Sequence, residues 1–272
     1  MASSLIGSRV ERKEDKKFLT GKGRYTADIN LANQTYAYFV RSPHARAAIS
    51  NVDISKASKA PGVVKILTGA DLAKDKIGGL IAGWKIVSQD GSDMKVPTHP
   101  PLANNTVNYV GDHVAVVIAE TLNQAKNAAD LVRVDYKTLK AVVKTGDAMN
   151  SKPIHDGIDK NLCFDFGLGD KAKTDEAISK ADKVIKIDLE NNRLIPNAME
   201  PRASIGNYNP SSEDLTLYTT NQNPHLTRLV LSAFCAIHPE HKFRVVAPDV
   251  GGGFGSKIYP YAEDAVIAWA AK

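Results

Sequence analysis

The stretch "VAPDVGGGFGSK" (Val246 to Lys257) sets four glycines and one phenylalanine within five positions, directly after a strand-like run. Glycine lacks a Cβ atom, so the main-chain N–H groups at positions 251, 252, 253 and 255 are able to approach a ligand closely. A flexible linker would carry serine where this run carries Phe254. The residues alone leave two interpretations open, a tight structural turn or a ligand cradle at a strand-to-helix junction.

Spacing excludes two phosphate-binding loops for this glycine run. A Walker A loop needs glycine directly before its lysine and serine or threonine directly after it. Here Ser256 precedes Lys257 and Ile258 follows it. The dinucleotide pattern GxGxxG fails as well, because its last glycine would fall on Ser256 or Ile258.

Length and composition indicate a globular protein of about two domains. The chain has 272 residues, of which 43% are hydrophobic and 24% charged, and its 35 basic and 30 acidic residues are interspersed. A net charge of +5 without basic blocks argues against a nucleic-acid partner. No apolar run has the length of a membrane span, and the charged opening "MASSLIGSRVERKEDKK" does not resemble a secretory signal. We therefore expect a cytoplasmic protein with no membrane partner.

Few side chains are suited to bind a metal. Cys163 and Cys235 are too few for a four-cysteine site or an iron–sulfur cluster, and a reducing compartment disfavours a disulfide between them. His238 and His241 in "HPEH" are weak zinc candidates, because Pro239 places them in a loop and no second ligand pair has suitable spacing. We predict no metal held by side chains of this chain.

The apolar patterns divide the chain into two mixed domains. We expect an extended N-terminal arm over residues 1–20, a first domain over 21–140, a polar connector over 141–172 and a second domain over 173–272. In the first domain, "HVAVVIA" predicts a buried strand, and the "TLNQAKNAADL" that follows predicts a helix with Leu122, Ala125, Ala129 and Leu131 near one face.

In the second domain the predicted helix over 226–236 turns Leu229, Val230 and Ala233 inward. Its other predicted elements are helices over 174–181 and 261–271 and strands over 183–189, 215–222 and 242–250.

Polar residues follow two of these predicted strands or extended segments. Gln222 ends the strand over 215–222, and its amide is able both to donate and to accept hydrogen bonds. Glu200 and Arg202 flank Pro201 at the end of another extended segment. These residues and the glycine run are candidates for a single site at one edge of the predicted sheet. The alternatives are strand capping for Gln222 and an internal ion pair for Glu200 with Arg202, which we favour over catalysis.

Seven motifs in order along the chain resemble those of the molybdenum-binding large subunits of the xanthine dehydrogenase, aldehyde oxidase and carbon monoxide dehydrogenase family. They are "LTGKGRYTADI" (19–29), "RSPHARAAI" (41–49), "APGVVKILTGADL" (60–72), "PPLANNTVNYVGDHVAVVIAET" (100–121), "AMEPRA" (198–203), "TTNQNPH" (219–225) and "PDVGGGFGSK" (248–257). Several ordered motifs at matching separations are more specific than any one of them.

The resemblance implies an α+β fold, with an N-terminal α/β hammerhead-type domain followed by the first part of a molybdopterin-binding mixed α/β domain. It also implies that Gln222 and Phe254 lie at the catalytic centre. The residues implied to bind the molybdopterin cofactor are Gln222, Gly251, Gly252, Gly253, Phe254 and Gly255.

The chemistry implied by the resemblance is oxidative hydroxylation with water as the oxygen source. Electrons would leave through the pterin to iron–sulfur clusters, and often to FAD, on partner subunits. Purine-hydroxylating members carry a carboxylate directly after the lysine of the glycine loop, where this chain has the apolar Ile258. An aldehyde, carbon monoxide or a similar small molecule is therefore favoured as substrate.

Large subunits of this family continue well beyond the point that corresponds to Lys272. We therefore expect another polypeptide, the remaining part of the molybdenum subunit, to complete the cofactor site, with an iron–sulfur subunit and an FAD subunit as further partners. The isolated chain is then inactive, and its last helix exposes an apolar face. The alternative is a truncated, non-catalytic binding or scaffold module.

Overall fold

The computed structural model describes residues 6–272, which form an α+β fold with nine strands in three three-stranded sheets. The strands are β1 (Tyr36–Arg41), β2 (Ala47–Asp53), β3 (Val63–Thr68), β4 (Thr106–Val107), β5 (His113–Ala119), β6 (Arg133–Thr138), β7 (Ser204–Asn209), β8 (Asp214–Thr219) and β9 (Phe243–Val246). The helices are α1 (Asp15–Leu19), α2 (Gly69–Lys74), α3 (Leu122–Ala129), α4 (Lys171–Ser179), α5 (Pro224–Leu229) and α6 (Ala262–Ala271).

The N-terminal arm is not extended throughout, because α1 interrupts it. Residues 1–5 of the predicted arm lie outside the described residues. Lys17 in α1 forms an ion pair with Asp249, and Arg24 exchanges two hydrogen bonds with the same aspartate. The arm is thereby attached to the segment that leads into the glycine run.

The first domain contains two antiparallel sheets, in the strand orders β1-β5-β3 and β4-β2-β6. Strand β5 is central and buried on both faces, as the continuous apolar run "HVAVVIA" predicts. Helix α3 packs on this sheet through its alanines, and its N-cap Thr121 accepts a hydrogen bond from the backbone of Gln124. The predicted helix is confirmed, and Ala125 and Ala129 of its predicted face are buried, but Leu122 at its start and Leu131 just after its end are exposed.

The second domain contributes the sheet β7-β8-β9, in which β7 is antiparallel and β9 parallel to β8. Helix α6 packs against β7 and β8, where Val266 is fully buried. Its Trp269 donates a hydrogen bond from Nε1 to Asp75 of the first domain, over 2.9 Å. The two domains thus share one hydrophobic core, and the prediction that the last helix exposes an apolar face is wrong. No helix in residues 6–272 has the length and apolar character needed to cross a membrane.

Two predicted secondary-structure elements of the second domain differ from the structure. The helix predicted over 226–236 divides into α5 and a π-helical turn over Val230–Phe234. The wider turn places Val230 and Leu231 in the core and leaves Ala233 exposed. The strand predicted over 183–189 is absent from the described residues, where this segment has neither helix nor strand and pairs with no sheet.

Candidate functional site

Gln222 lies directly against the glycine run. Strands β8 and β9 run parallel as neighbours, so the segments that follow them leave the same edge of the sheet. The backbone N–H of Gln222 donates to the carbonyl of Lys257 over 2.7 Å. The side-chain Oε1 of Gln222 accepts hydrogen bonds from the N–H groups of Gly255 (3.1 Å) and Lys257 (3.2 Å). These bonds fix the orientation of the amide, and strand capping is not its role, because β8 ends earlier at Thr219.

The glycine run is a loop and not a strand-to-helix junction, because β9 ends at Val246 and α6 begins only at Ala262. Close approach explains two of its glycines. A Cβ atom on Gly251 would lie 2.5 Å from Cβ of Glu200, and one on Gly253 would lie 2.4 Å from Cδ of Gln222. Backbone conformation explains two more, since φ is +100° at position 252 and +88° at position 255.

The loop carries hydrogen-bond donors that are open to a ligand. Among the described residues, the N–H groups of Gly252, Gly253 and Phe254 have no acceptor, and neither has the side-chain NH₂ of Gln222. Unbonded donors of this kind suit oxygen atoms of an anionic or heteroatom-rich ligand. Phe254 is 73% exposed, and its ring lies beside Gly252, where an added Cβ atom would be 2.9 Å from Cε2 of the ring.

A buried ion pair between Lys257 and Glu200 packs against the glycine loop. Lys257, whose side chain is 2% exposed, donates from Nζ to the Glu200 carbonyl (2.8 Å) and to Oε2 of the Glu200 carboxylate (3.1 Å). The same Oε2 accepts a hydrogen bond from the N–H of Gly251 over 2.7 Å. The predicted pair between Glu200 and Arg202 is therefore wrong. The sequence did contain a signal for the correct partner of Glu200, because Lys257 is a single charged residue within a glycine-rich, apolar run.

Arg202 belongs instead to a second charged cluster, which joins the two domains. Its guanidinium stacks on the ring of Tyr261, with 3.4 Å to the centroid. The Glu263 carboxylate lies 2.8 Å from Arg41 Nη2, 3.2 Å from His113 Nε2 and 3.5 Å from Arg202 Nη2. Burial by itself would raise the pKa of Glu263, but His113, Arg41 and the charge of Arg202 hold it well below its usual value.

Because the pKa of Glu263 is lowered, we expect its contribution to the stability of the domain junction to depend on pH. Glu263 stabilises the fold above its unfolded-state pKa of about 4.3, and the stabilisation is lost as the pH falls through the lower folded-state pKa. We expect Glu263→Gln to lower the free energy of unfolding by about 1–3 kcal/mol at pH 7. The difference from the parent chain should shrink as the pH falls below about 4.

Urea unfolding of both chains at several pH values measures this difference and cancels the contribution of other carboxylates. One of these is the neighbouring Asp264, whose pKa burial raises. The exposed Glu120→Gln serves as the control, for which no pH-dependent difference is expected. A difference for Glu263→Gln that stays constant from neutral pH to about pH 3 would contradict the assignment.

The histidines and cysteines do not form a metal centre within residues 6–272, where no group of three or more potential ligands lies together. His238 is buried with Nε2 2.7 Å from the Glu213 carbonyl, so it has a structural hydrogen bond. Both cysteines are free, as predicted, and burial raises the pKa of the Cys235 thiol to about 12. A cleft of about 1120 Å³ opens between β1 and α6, but neither Gln222 nor the glycine run lines it.

Comparison with known proteins assigns both domains. Residues 20–140 match the family model of the a/b hammerhead domain of aldehyde oxidase and xanthine dehydrogenase, and residues 154–272 match that of the molybdopterin cofactor-binding domain. The chain belongs to the family of molybdenum hydroxylase large subunits. Gln222 and the glycine run both lie in the part that matches the molybdopterin cofactor-binding domain.

Individual relatives match nearly the whole length of the chain. The nicotine 6-hydroxylase large subunit of Paenarthrobacter nicotinovorans is 34% identical over 99% of the chain, and the carbon monoxide dehydrogenase large chain of Afipia carboxidovorans is 34% identical over 94%. The solved structure of quinoline 2-oxidoreductase from Pseudomonas putida 86 is 32% identical and superposes with a TM-score of 0.87 over 97% of the chain. The chain spans 32% of the length of each of the first two relatives and 33% of the third.

The residues of the loop fit the cofactor of the molybdenum hydroxylases. A pterin carries many oxygen and nitrogen acceptors, and its phosphate is anionic, which suits the open N–H groups of Gly252, Gly253 and Phe254. The Gln222 amide lies against position 253, and it can do so only because that residue lacks a Cβ atom. Gln222 and Phe254 are exposed in this chain, so the described residues supply one wall of such a site.

Proposed function

We propose that the chain is the N-terminal part of a molybdenum hydroxylase large subunit and binds the molybdopterin cofactor jointly with the rest of that subunit. The observation that carries this proposal is the Gln222 amide, which is held by a glycine loop in which three N–H groups have no acceptor among the described residues. When bound, the molybdenum cofactor supplies redox chemistry that protein side chains do not provide.

The residues of the loop have distinct parts in this proposal. The NH₂ group of Gln222 donates a hydrogen bond to an oxygen of the cofactor, while Gly255 and Lys257 hold its carbonyl end. The N–H groups of Gly252, Gly253 and Phe254 bind further acceptors, and the Phe254 ring limits the room beside the reacting centre. Gly251 contributes close packing only, since its N–H is bound to Glu200.

The proposed reaction is the oxidation of an aldehyde, carbon monoxide or a similar small substrate, with water as the oxygen source. The half-buried Ile258 supports this choice, because an apolar side chain cannot form the hydrogen bond that a carboxylate there would give a purine. Partner subunits with iron–sulfur clusters and FAD would accept the electrons of this oxidation in the cytoplasm. The isolated chain is inactive in this proposal, because one wall does not enclose a substrate.

The cofactor content of the assembled subunit tests the proposal. The chain is produced together with the remaining part of its large subunit, and molybdenum and pterin are measured in the purified complex and in the chain alone. We expect about one molybdenum and one pterin per complex and neither in the isolated chain. A complex that assembles without pterin, or a chain that remains a stable monomer beside the other part, would instead favour a non-catalytic scaffold module.

A further inference from the structure

An unpaired apolar segment lies next to the candidate site. Residues 183–199, here called the linking segment, connect α4 to the residues before β7 and have neither helix nor strand. The large apolar side chains of this segment are each more than half exposed: Val184, Ile185, Ile187, Leu189, Leu194, Ile195 and Met199. A contiguous set of this size marks a surface that another chain or another part of the same subunit covers.

The sequence of the linking segment has the pattern of a half-buried strand. Ile185, Ile187 and Leu189 alternate with Lys186 and the acidic residues that follow it, so an extended backbone puts the apolar side chains on one face and the charged ones on the other. The described residues offer this pattern no partner strand, and its backbone N–H and C=O groups are exposed. A strand of this kind becomes stable only when another strand pairs with it.

The linking segment continues directly into the wall of the candidate site. A Cβ atom on Gly252 would lie 3.2 Å from Cβ of Ala198. The N–H of Glu200 donates to the carbonyl of Gly251 over 3.2 Å. The C-terminal end of the linking segment therefore lies beside the glycine loop.

We infer that residues 184–190 add as a β-strand to a sheet in the remaining part of the molybdenum subunit, with Ile185, Ile187 and Leu189 buried in its core. This inference rests on the proposed function. The length of the relatives indicates which partner covers this strand. The chain spans only 32% of its nicotine 6-hydroxylase relative, and in our proposal the rest of the same subunit completes the cofactor site. Pairing of the strand also restrains the residues that lead from it to Ala198, which lies against Gly252.

Hydrogen–deuterium exchange tests the pairing in the chain alone and in the complex with the remaining part of the large subunit. Paired amides in residues 184–190 should exchange at least about a hundredfold more slowly in the complex. The connector amides around the exposed Gly146 serve as the internal reference and should change little. Equal exchange rates of residues 184–190 in the free chain and the complex would overturn the inference.

A matched pair of variants tests which face is buried. Ile187→Asp places a carboxylate on the apolar face, and Lys186→Asp places the same group on the opposite face. We expect Ile187→Asp to lower the recovery of assembled subunit at least about tenfold and Lys186→Asp to change it less than about twofold. Both isolated chains should melt like the parent, because the substituted side chains are exposed there. Equal recovery of the two variants would contradict the predicted face.

Two further outcomes separate this inference from the proposed function. A complex with protected residues 184–190 but no pterin would contradict the proposed function and leave the strand pairing intact. A complex that contains pterin while residues 184–190 exchange freely would overturn the strand pairing alone. Light scattering of the isolated chain tests whether residues 184–190 pair with a second copy of the chain. A dimer in which these residues are protected would identify that second copy as the partner and overturn the inference.

Discussion

Replacing Lys257 by methionine is expected to lower the free energy of unfolding by about 3–5 kcal/mol, since it removes one partner of a buried ion pair. Methionine fills a similar volume but leaves the Glu200 carboxylate, whose side chain is 11% exposed, without its cation. Oε1 of this carboxylate is buried and already has no hydrogen-bond partner among the described residues. An unpaired carboxylate in this place has to take up a proton or draw in water, and either change disturbs the N–H of Gly251 bound to it.

Urea unfolding of four chains measures this effect: the parent, Lys257→Met, Glu200→Gln and the double variant. We expect the double variant to be more stable than the sum of the single losses predicts, because it contains no unpaired buried charge. Lys85→Met is the control, since this lysine is 65% exposed and pairs with the exposed Asp93 over 2.8 Å, and its loss should be below about 1 kcal/mol. The pair does not support the loop if Lys257→Met loses as little stability as the control. The same conclusion follows if the losses of the two single variants simply add up to the loss of the double variant.

Local patterns predicted the first domain well. The continuous apolar run of β5 needs burial on both faces, and two neighbouring strands and α3 provide it. The small, regularly spaced alanines of α3 were equally informative, because a helix with such a side can pack closely on a sheet. In both cases the partner is formed by nearby elements of the same domain. The pattern of the element itself therefore carries enough information.

Contacts between distant residues were harder to predict. Lys257 and Glu200 are 57 residues apart, and the charged residue nearest to Glu200 along the chain, Arg202, was the wrong partner. The contact between Gln222 and the glycine run was expected because two strands of one sheet deliver the two segments to one edge. Which groups the amide binds there depends on the turn at 254–257, whose geometry no periodicity predicts.

The strand predicted over 183–189 failed for a different physical reason. Its alternation is genuine, but a strand needs a neighbour, and the described residues contain no edge that pairs with it. The apolar helix α6 shows the opposite case: expected to be exposed, it is covered by its own sheet and by the first domain. The sequence pattern thus predicts that an apolar face needs a partner. The structure shows that the described part of the chain provides the partner for α6 and not for residues 183–189.

Replacing Gly253 by alanine is expected to lower the pterin content of the assembled subunit at least about tenfold, equivalent to the loss of one good hydrogen bond. The added Cβ atom would lie 2.4 Å from Cδ and 2.5 Å from Oε1 of Gln222, so the amide has to leave its position. Gln222 then loses its bonds to the N–H groups of Gly255 and Lys257 and no longer points its NH₂ group into the site.

Gln222→Ala removes the same amide without crowding the loop, so it should reproduce the loss of pterin. The double variant should lose little more than either single variant, because both changes remove one interaction. Gly146→Ala is the control, since a Cβ atom there meets nothing within 4 Å, and it should retain the pterin of the parent. Pterin retained in Gly253→Ala would place Gln222 outside the cofactor site. Additive losses in the double variant would instead mean that alanine at position 253 acts on the open N–H groups and not through the amide.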